Sequence, residues 1–393
     1  MKIVHIAPAT TYNIGWGYQD NLLPRYQSYL GNEVTYITNL YSFKDGKKVI
    51  VNECDEVLSD GVRLIRLPYR KGAFSRITNL KMYLEVFSIL KEITPDFIFY
   101  HGLVSETIYD VVRYKRECNP KCIIVEDNHL DANIHTLGRD VLNIKKTWLK
   151  QYYRHINKKT IPYIEKVYGV TPWRKQYAEE FFGIPKEKTD VLIMGAEDEK
   201  MFLDQRMQIR EKIRNDYGYS EKDFVIVTGG KIDKKKKIDM LMRACSQVSG
   251  VKLLIFGQVD DAMQKEFDEI VDKSSNIDYI GWIASDKVYE LFYASDLVFF
   301  PGQHSVLWEQ ACAAKVPCVF GWWPGMQHVD NGGNSVFLKE VTIENISKLI
   351  NELKYTDKYN EMKAVAESDA TDIYLYSQIA KKSLECVKDV EVK

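Results

Sequence analysis

The stretch Gly229-Gly230-Lys231-Ile232-Asp233-Lys234-Lys235-Lys236-Lys237-Ile238-Asp239 has the makings of an anion cradle. Two glycines close an apolar run, Phe224–Thr228, and allow backbone to approach a ligand. Lysines follow, and helical periodicity begins near Ile238. Strand, basic turn and helix start in that order gather cations, amide donors and a favourable dipole, which is how phosphate is bound. Lys231 and Lys236 stand where phosphates would dock, while Lys234, Lys235 and Lys237 read as a solvated loop. A single carboxylate, Glu309, comes in the first turns of a later strand-turn-helix. Carboxylates accept from sugar hydroxyls, so the two features together point to a nucleotide-sugar site.

Around these residues, short apolar runs alternate with longer amphipathic segments. Strands are expected at 2–6, 33–38, 62–67, 97–100, 122–126, 167–170 and 191–194, then at 224–228, 251–256, 277–280, 297–300 and 317–320. Helical spacing fits 18–29, 80–91, 105–114, 144–164, 173–182, 238–248, 262–271, 285–294, 305–315 and 343–353. Alternation of this kind indicates parallel α/β layers. The pattern runs twice, with a charged connecting stretch at 196–214. It predicts two doubly wound domains, residues 1–195 and 196–370, with ligands at the carboxyl ends of the strands and a cleft between the domains. Residues 371–393 read as one more helix, able to pack on either domain.

A chain of 393 residues is long enough for two cores. Apolar and charged fractions of 45% and 28% fit a soluble globular protein. With 54 basic and 55 acidic residues the net charge is −1, so no global field recruits nucleic acid. The seven cysteines are scattered without a zinc or disulfide pattern, which fits a reducing cytosol. The start, Met1–Ile6, reads as a strand and not as a signal peptide, and no apolar run is long enough to span a bilayer. There is no Asp-x-Asp pair, and no metal is expected. Residues 139–166 are rich in lysine and arginine, with Ile144, Trp148, Tyr152 and Ile156 on one helical face. A core-packed helix with a solvated back is one reading of that segment, and a peripheral contact with anionic lipid the other.

On these residues the chain resembles the GT-B glycosyltransferases of family 4, which retain anomeric configuration. The resemblance covers nearly the whole chain. It assigns Gly230, Lys231 and Lys236 to the element that grips the donor diphosphate, with lysine where the family has arginine. The charge is kept and the bidentate fork is lost. The family's second element is a strand, a turn with a pair of glutamates separated by seven residues, and a helix. Here it reads Leu297-Val298-Phe299-Phe300-Pro301-Gly302-Gln303-His304-Ser305-Val306-Leu307-Trp308-Glu309-Gln310. Glu309 matches the second glutamate, which holds the ribose hydroxyls; Pro301 stands where the first would fall, and Gln303 or His304 is left to meet the donor sugar. The resemblance also implies that amides near Ser305 and Val306 face the β-phosphate, and that backbone of Ile280 and Trp282, around Gly281, holds the base.

In the first half, Asn13-Ile14-Gly15-Trp16-Gly17-Tyr18 resembles the glycine-rich loop beside the donor phosphates and the acceptor, with Trp16 on the acceptor side. Asp127-Asn128-His129 follows a strand, and the family often places a sugar-touching histidine at such an end. His129 is therefore the catalytic candidate, with His101 its competitor and Asp127 and Asn128 acceptor-side. The resemblance implies an α/β fold of two Rossmann-like domains and metal-independent transfer from a nucleoside-diphosphate sugar, UDP favoured, to a saccharide or lipid-linked acceptor. The expected setting is polysaccharide or glycoconjugate synthesis in the cytoplasm or at the inner face of the membrane. Two alternatives stand beside it: a nucleotide-sugar 2-epimerase, and a non-catalytic subunit that binds nucleotide-sugar or glycan.

Overall fold

A computed structural model describes residues 1–44, 47–70, 83–131 and 144–387, without the side chains of 144–146. The chain divides into two compact units, Met1–Ile193 with Ile379–Lys393, and Met194–Gln378.

The first unit carries strands β1 (Lys2–Ala7), β2 (Glu33–Asn39), β3 (Tyr41–Lys44), β4 (Lys47–Ile50), β5 (Cys54–Val57), β6 (Arg63–Leu67), β7 (Phe97–His101), β8 (Ile123–Asn128), β9 (Lys166–Gly169) and β10 (Thr189–Val191). Eight of them form a sheet in the order β10-β9-β8-β7-β1-β2-β6-β5. Only the edge strand β5 runs antiparallel, against β6. β1 and β7 are neighbours although the chain has visited β2 and β6 between them, so the strand order reverses at β1/β7. The hairpin β3/β4 and β5 lie outside the expected pattern. They are short, polar and largely exposed, and so carry no apolar alternation to read.

The second unit holds β11 (Phe224–Ile232), β12 (Val251–Val259), β13 (Ile277–Tyr279), β14 (Leu297–Phe300), β15 (Cys318–Gly321) and β16 (Ser335–Leu338). Their order is β13-β12-β11-β14-β15-β16, and every pairing is parallel. Here the order reverses at β11/β14. The core joins Phe224, Ile226, Leu253, Ile255 and Phe299 of the sheet to Leu241, Met242, Ile346 and Ile350 of the covering helices.

Three expectations change. β11 does not end at Thr228: the ladder with β12 continues through Gly230 opposite Gly257 to Ile232 opposite Val259. Gly230 and Gly257 have φ of 99° and 120°, and a Cβ on Gly257 would overlap the Gly230 carbonyl. The glycines extend the pairing by letting two backbones meet where side chains could not fit. Secondly, the connecting stretch 196–214 contains most of a helix, Arg206–Asp216. Its buried side is cationic: Arg210 donates to the carbonyls of Tyr293, Ala294 and Ser295 at the end of the helix Val288–Ala294, and Arg210 and Arg214 both pair with Asp296. Cations suit a helix C-terminus, and an arginine-based contact leaves no apolar stripe to detect. Thirdly, residues 371–387 are not one helix. A 3-10 segment, Asp369–Tyr374, precedes the helix Tyr376–Ser383, and the chain rejoins the first unit from Ile379.

The helix Ile144–Thr160 packs Tyr153 and Ile156 into the first core and leaves Trp148 46% exposed. Residues 139–143 of the basic segment, and 80–82 of the helix expected at 80–91, lie outside the described residues; the latter helix is Phe87–Ile93. Among the described residues no helix is long and apolar enough to cross a membrane.

Candidate functional site

In the second unit the chemistry gathers where the strand order reverses. The lysine turn that follows β11 is folded by Asp233, whose carboxylate accepts from the amides of Lys235 and Lys236 at 3.0 and 3.2 Å. Lys237 takes a left-handed conformation, φ 53°, and the helix Ile238–Cys245 begins without a side-chain cap. The turn that follows β14 packs directly on this loop. A side chain on Gly302 would overlap backbone of Lys235 and Lys236. The Gln303 amide donates to the Lys235 carbonyl at 3.0 Å. Lys236 Nζ donates to the carbonyls of Gln303 at 2.6 Å and His304 at 3.3 Å. Two of its three donors are thus engaged within the protein. Burial, only partly offset by Asp233, brings the Lys236 pKa down to about 8.

Lys231 is different. It lies within β11, is exposed, and has Asp233 and Asp260 at 3.6 and 3.7 Å. It lines a cavity of about 600 Å³ with Gly230, Gly257, Gln258, Trp282 and Leu307. Gly281, φ 74°, follows β13. Its carbonyl accepts from the Gly257 amide at 2.7 Å, while the Ile280 amide is engaged by Ile255. Trp282 is 74% exposed at the cavity rim. Gln258 and Leu307 escaped the sequence reading because neither type announces a site.

Glu309 sits on the helix Leu307–Ala313 and is fully buried. The neighbouring Trp308, also fully buried, stacks on Phe320 at 4.5 Å and fixes the helix rotation. Oε1 of Glu309 accepts from Nε2 of both His304, at 2.9 Å, and His328, at 2.8 Å. Burial alone would raise the carboxyl pKa; His304 first, then His328, overcome it and hold it at about 2. Oε2 of Glu309 is buried and has no hydrogen-bond partner among the described residues. Ser305 and Val306 form the turn before this helix, with the Ser305 carbonyl accepting from Trp308. The sequence gives no sign of His328: it is a lone histidine in the 3-10 segment Gln327–Val329, 19 residues beyond Glu309.

In the first unit the loop after β1 and the carboxyl ends of β7 and β8 carry the other candidates. Asn13 fixes the glycine-rich loop: its Oδ1 accepts from Ser42 Oγ and the Phe43 amide, and its Nδ2 donates to the Phe43 carbonyl. Gly15 has φ 80°. Trp16 stacks on Phe43 at 5.6 Å and 12°, with Gly17 next to it in the chain. Asp127 is buried between two imidazoles, His101 Nδ1 at 2.7 Å and His129 Nε2 at 3.2 Å. His101 is buried, while the His129 side chain is 36% exposed. Asn128 spends its Nδ2 on the carbonyls of Leu130 and Arg174 and its Oδ1 on the Leu130 amide, a structural use of the whole amide.

Among the described residues two groups have ligand atoms close enough together for a metal ion, His101/Asp127/His129 and His304/Glu309/His328. Contacts of 2.7–3.2 Å between ring nitrogens and carboxylate oxygens are those of hydrogen bonds, which account for both groups.

Residues 209–368 match the family described as Glycosyl transferases group 1. The alpha-galactosylglucosyldiacylglycerol synthase of Streptococcus pneumoniae is 24% identical over 145 residues, which is 34% of this chain and 38% of the synthase. The chain thus matches well under half of that relative's length. A solved glycosyltransferase from Rickettsia africae superposes with a TM-score of 0.71 at 16% identity, over 99% of this chain and 98% of the other. Anabaena HepE in complex with UDP does so with a TM-score of 0.66 at 15% identity, over 99% and 100%. The chain therefore has the GT-B fold of the glycosyltransferases, and its second unit carries a glycosyl transferases group 1 domain.

Proposed function

We propose that the protein moves a sugar, with retention, from a nucleoside-diphosphate sugar to a saccharide or lipid-linked saccharide. The observation that carries this reading is the convergence at β11/β14: an ammonium, Lys236, bonded to the carbonyls of Gln303 and His304; a buried Glu309 bonded to the His304 ring, with a second oxygen unpartnered among the described residues; and a cavity lined by Gly230, Lys231 and Leu307. Lys231 and Lys236 stabilise the departing diphosphate as positive charge builds at the anomeric carbon. Glu309 Oε2 accepts from a ribose hydroxyl, and backbone around Gly281 and Trp282 holds the base. Gln303 or His304 takes the place of the missing glutamate at the donor sugar. In the first unit, His129 with Asp127 behind it is suited to a sugar hydroxyl, and Trp16 offers an aromatic face to an acceptor. The leaving phosphate oxygen takes the proton of the incoming hydroxyl on the same face. No resident metal or cofactor is required in this scheme.

UDP is the favoured nucleotide, supported by HepE, solved with UDP and with UDP-glucose. A lipid-linked acceptor is supported by the name of the pneumococcal relative, a diacylglycerol glycolipid synthase. The exposed side of the helix Ile144–Thr160, with Trp148, Lys158 and Lys159, would lean on anionic headgroups at the inner face of the membrane. All seven cysteines are free, which supports a reducing, cytoplasmic setting.

Pro301, in place of the family's first glutamate, supports a second reading: a subunit that binds nucleotide-sugar without turning it over. A thermal-shift panel of uridine, guanosine and adenosine diphosphates and their sugars tests both. A ligand at 100 times its Kd should add ~2.7 kcal/mol of stability. Slow hydrolysis of the bound donor supports transfer, binding without hydrolysis supports the subunit, and an isomerised sugar would indicate an epimerase. A panel in which nothing raises the melting temperature defeats all three.

A further inference from the structure

Five side chains, continued by His129, form one hydrogen-bonded line through the first unit. Ser383 Oγ is 2.7 Å from the Ala380 carbonyl and 2.8 Å from Gln27 Nε2. The hydroxyl has one proton and gives it to Ala380, so toward Gln27 it accepts. That orients the amide, with Nε2 donating to Ser383 and Oε1 facing His5 Nε2 at 2.7 Å. A carbonyl oxygen only accepts, so the His5 proton is on Nε2. His5 Nδ1 lies 3.0 Å from His101 Nε2, and His101 Nδ1 lies 2.7 Å from Asp127 Oδ2. With Nε2 protonated, a neutral His5 has only a lone pair at Nδ1, so His101 Nε2 must donate. The carboxylate also only accepts, so His101 Nδ1 must donate as well. A histidine that donates from both nitrogens is an imidazolium.

We propose that Ser383, Gln27 and His5 are positioning residues that hold His101 as a buried cation against Asp127, and that this cation keeps His129 neutral, with Nε2–H directed at Asp127 and Nδ1 left as an acceptor for a sugar hydroxyl. Asp127 Oδ2 is shared by His101 and His129, and Oδ1 takes the Gly102 amide. With His101 supplying the positive charge, His129 need not. The electrostatics agree. His5 is driven down to about 3, by burial first and then by the His101 charge. Burial would lower His101, but Asp127 overcomes it and raises its pKa above the ordinary histidine value. The groups that face His101 are His5 from β1, Tyr36 from β2 at 6.0 Å between ring centroids, Asp20 from the helix Gln19–Tyr29, and Asp127 and His129 from the end of β8. Glu126, next to Asp127, is raised to about 8, by burial first and then by the Asp127 charge.

The opposite polarity, Ser383 donating to a flipped Gln27 amide, would leave His5 and His101 both neutral, and the two states are distinguishable. In protein labelled with 15N-histidine at pH 7, assigned by single substitutions, the ring-nitrogen spectrum should show His101 protonated at both nitrogens and His129 as the neutral Nε2–H tautomer. A singly protonated His101 overturns the proposal. His5→Leu removes the acceptor and should lower the pH at which His101 gives up its second ring proton. His5→Asn restores an acceptor, because Oδ1 occupies the place of Nδ1, and should return the His101 titration toward wild type. An unmoved titration in His5→Leu counts against it, and if that variant does not fold, the wild-type spectrum decides. The value of a neutral His129 rests on its proposed meeting with the sugar. The spectrum tests the relay, and the activity at pH 7, expected to fall about tenfold in His5→Leu and to recover in His5→Asn, tests that meeting.

Discussion

Lys236 and Glu309 are the residues on which the donor site turns, and each has a distinct pH signature. Lys236 is half-committed to its own protein, and burial makes its ammonium lose its proton near pH 8. Affinity for a diphosphate should therefore fall as pH rises through about 8, where an ordinary surface lysine would stay charged. Lys236→Ala should cut turnover by ~10²-fold or more, as expected for loss of a charge aimed at a leaving group; steady-state kinetics check it, and near-normal turnover rejects the role. Glu309→Gln should weaken donor binding by ~1–3 kcal/mol, read by calorimetry. The same carboxylate affects stability. Its pKa lies at about 2 in the folded protein, below the unfolded value, so its contribution is present above about pH 4.5 and is lost as pH falls toward 2. The acid limb of a melting-temperature profile should be shallower in Glu309→Gln than in wild type.

At the level of elements, the ends of β11 and β12 decide whether the cavity exists. Gly230 and Gly257 face each other in register, and their backbones come closer than any side chain allows. Gly257→Ala should cost at least ~2 kcal/mol and weaken nucleotide binding, because strain and overlap act together. Gly281 also has a positive φ, but its Cβ position is open. Gly281→Ala should cost only ~1 kcal/mol. Chemical denaturation of the two variants checks the order, and equal costs would show that overlap at β11/β12 is not what sets the glycine requirement. The helix Arg206–Asp216 makes a related point. Its buried partners are carbonyls and Asp296, so a hydrophobic pattern could not reveal it.

For the whole molecule, the organising fact is that the first unit is completed by the end of the chain. Ile379, Ala380, Ser383 and Cys386 are buried there, and Ser383 closes the hydrogen-bonded line through Gln27. Deleting residues 379–393 should destabilise the first unit by roughly 3–5 kcal/mol, the order expected for a few buried side chains. The second unit, Met194–Gln378, keeps its whole sheet. Calorimetry with and without a nucleoside diphosphate separates the two: the ligand-stabilised transition should persist while the other moves down. A single transition falling as one would show that the units do not unfold separately.

The amino-acid order by itself specified the repeated strand-helix alternation, the glycine-lysine turn and the carboxylate that follows it. Each is a local pattern, since apolar period and turn composition are set by near neighbours in the chain. The tertiary structure alone decided which distant side chains meet. His328 reaches Glu309, His5 reaches His101, and Ser383 reaches Gln27 across 356 positions. It also decided that Lys236 should hold two turns together while Lys231 lines the cavity. Those pairings depend on parallel strands that place separate crossover ends side by side, and on burial, which converts an ordinary histidine or lysine into one with an altered proton affinity. Neither long-range adjacency nor dielectric environment is encoded at a single position, so neither could be read before the sheets were assembled.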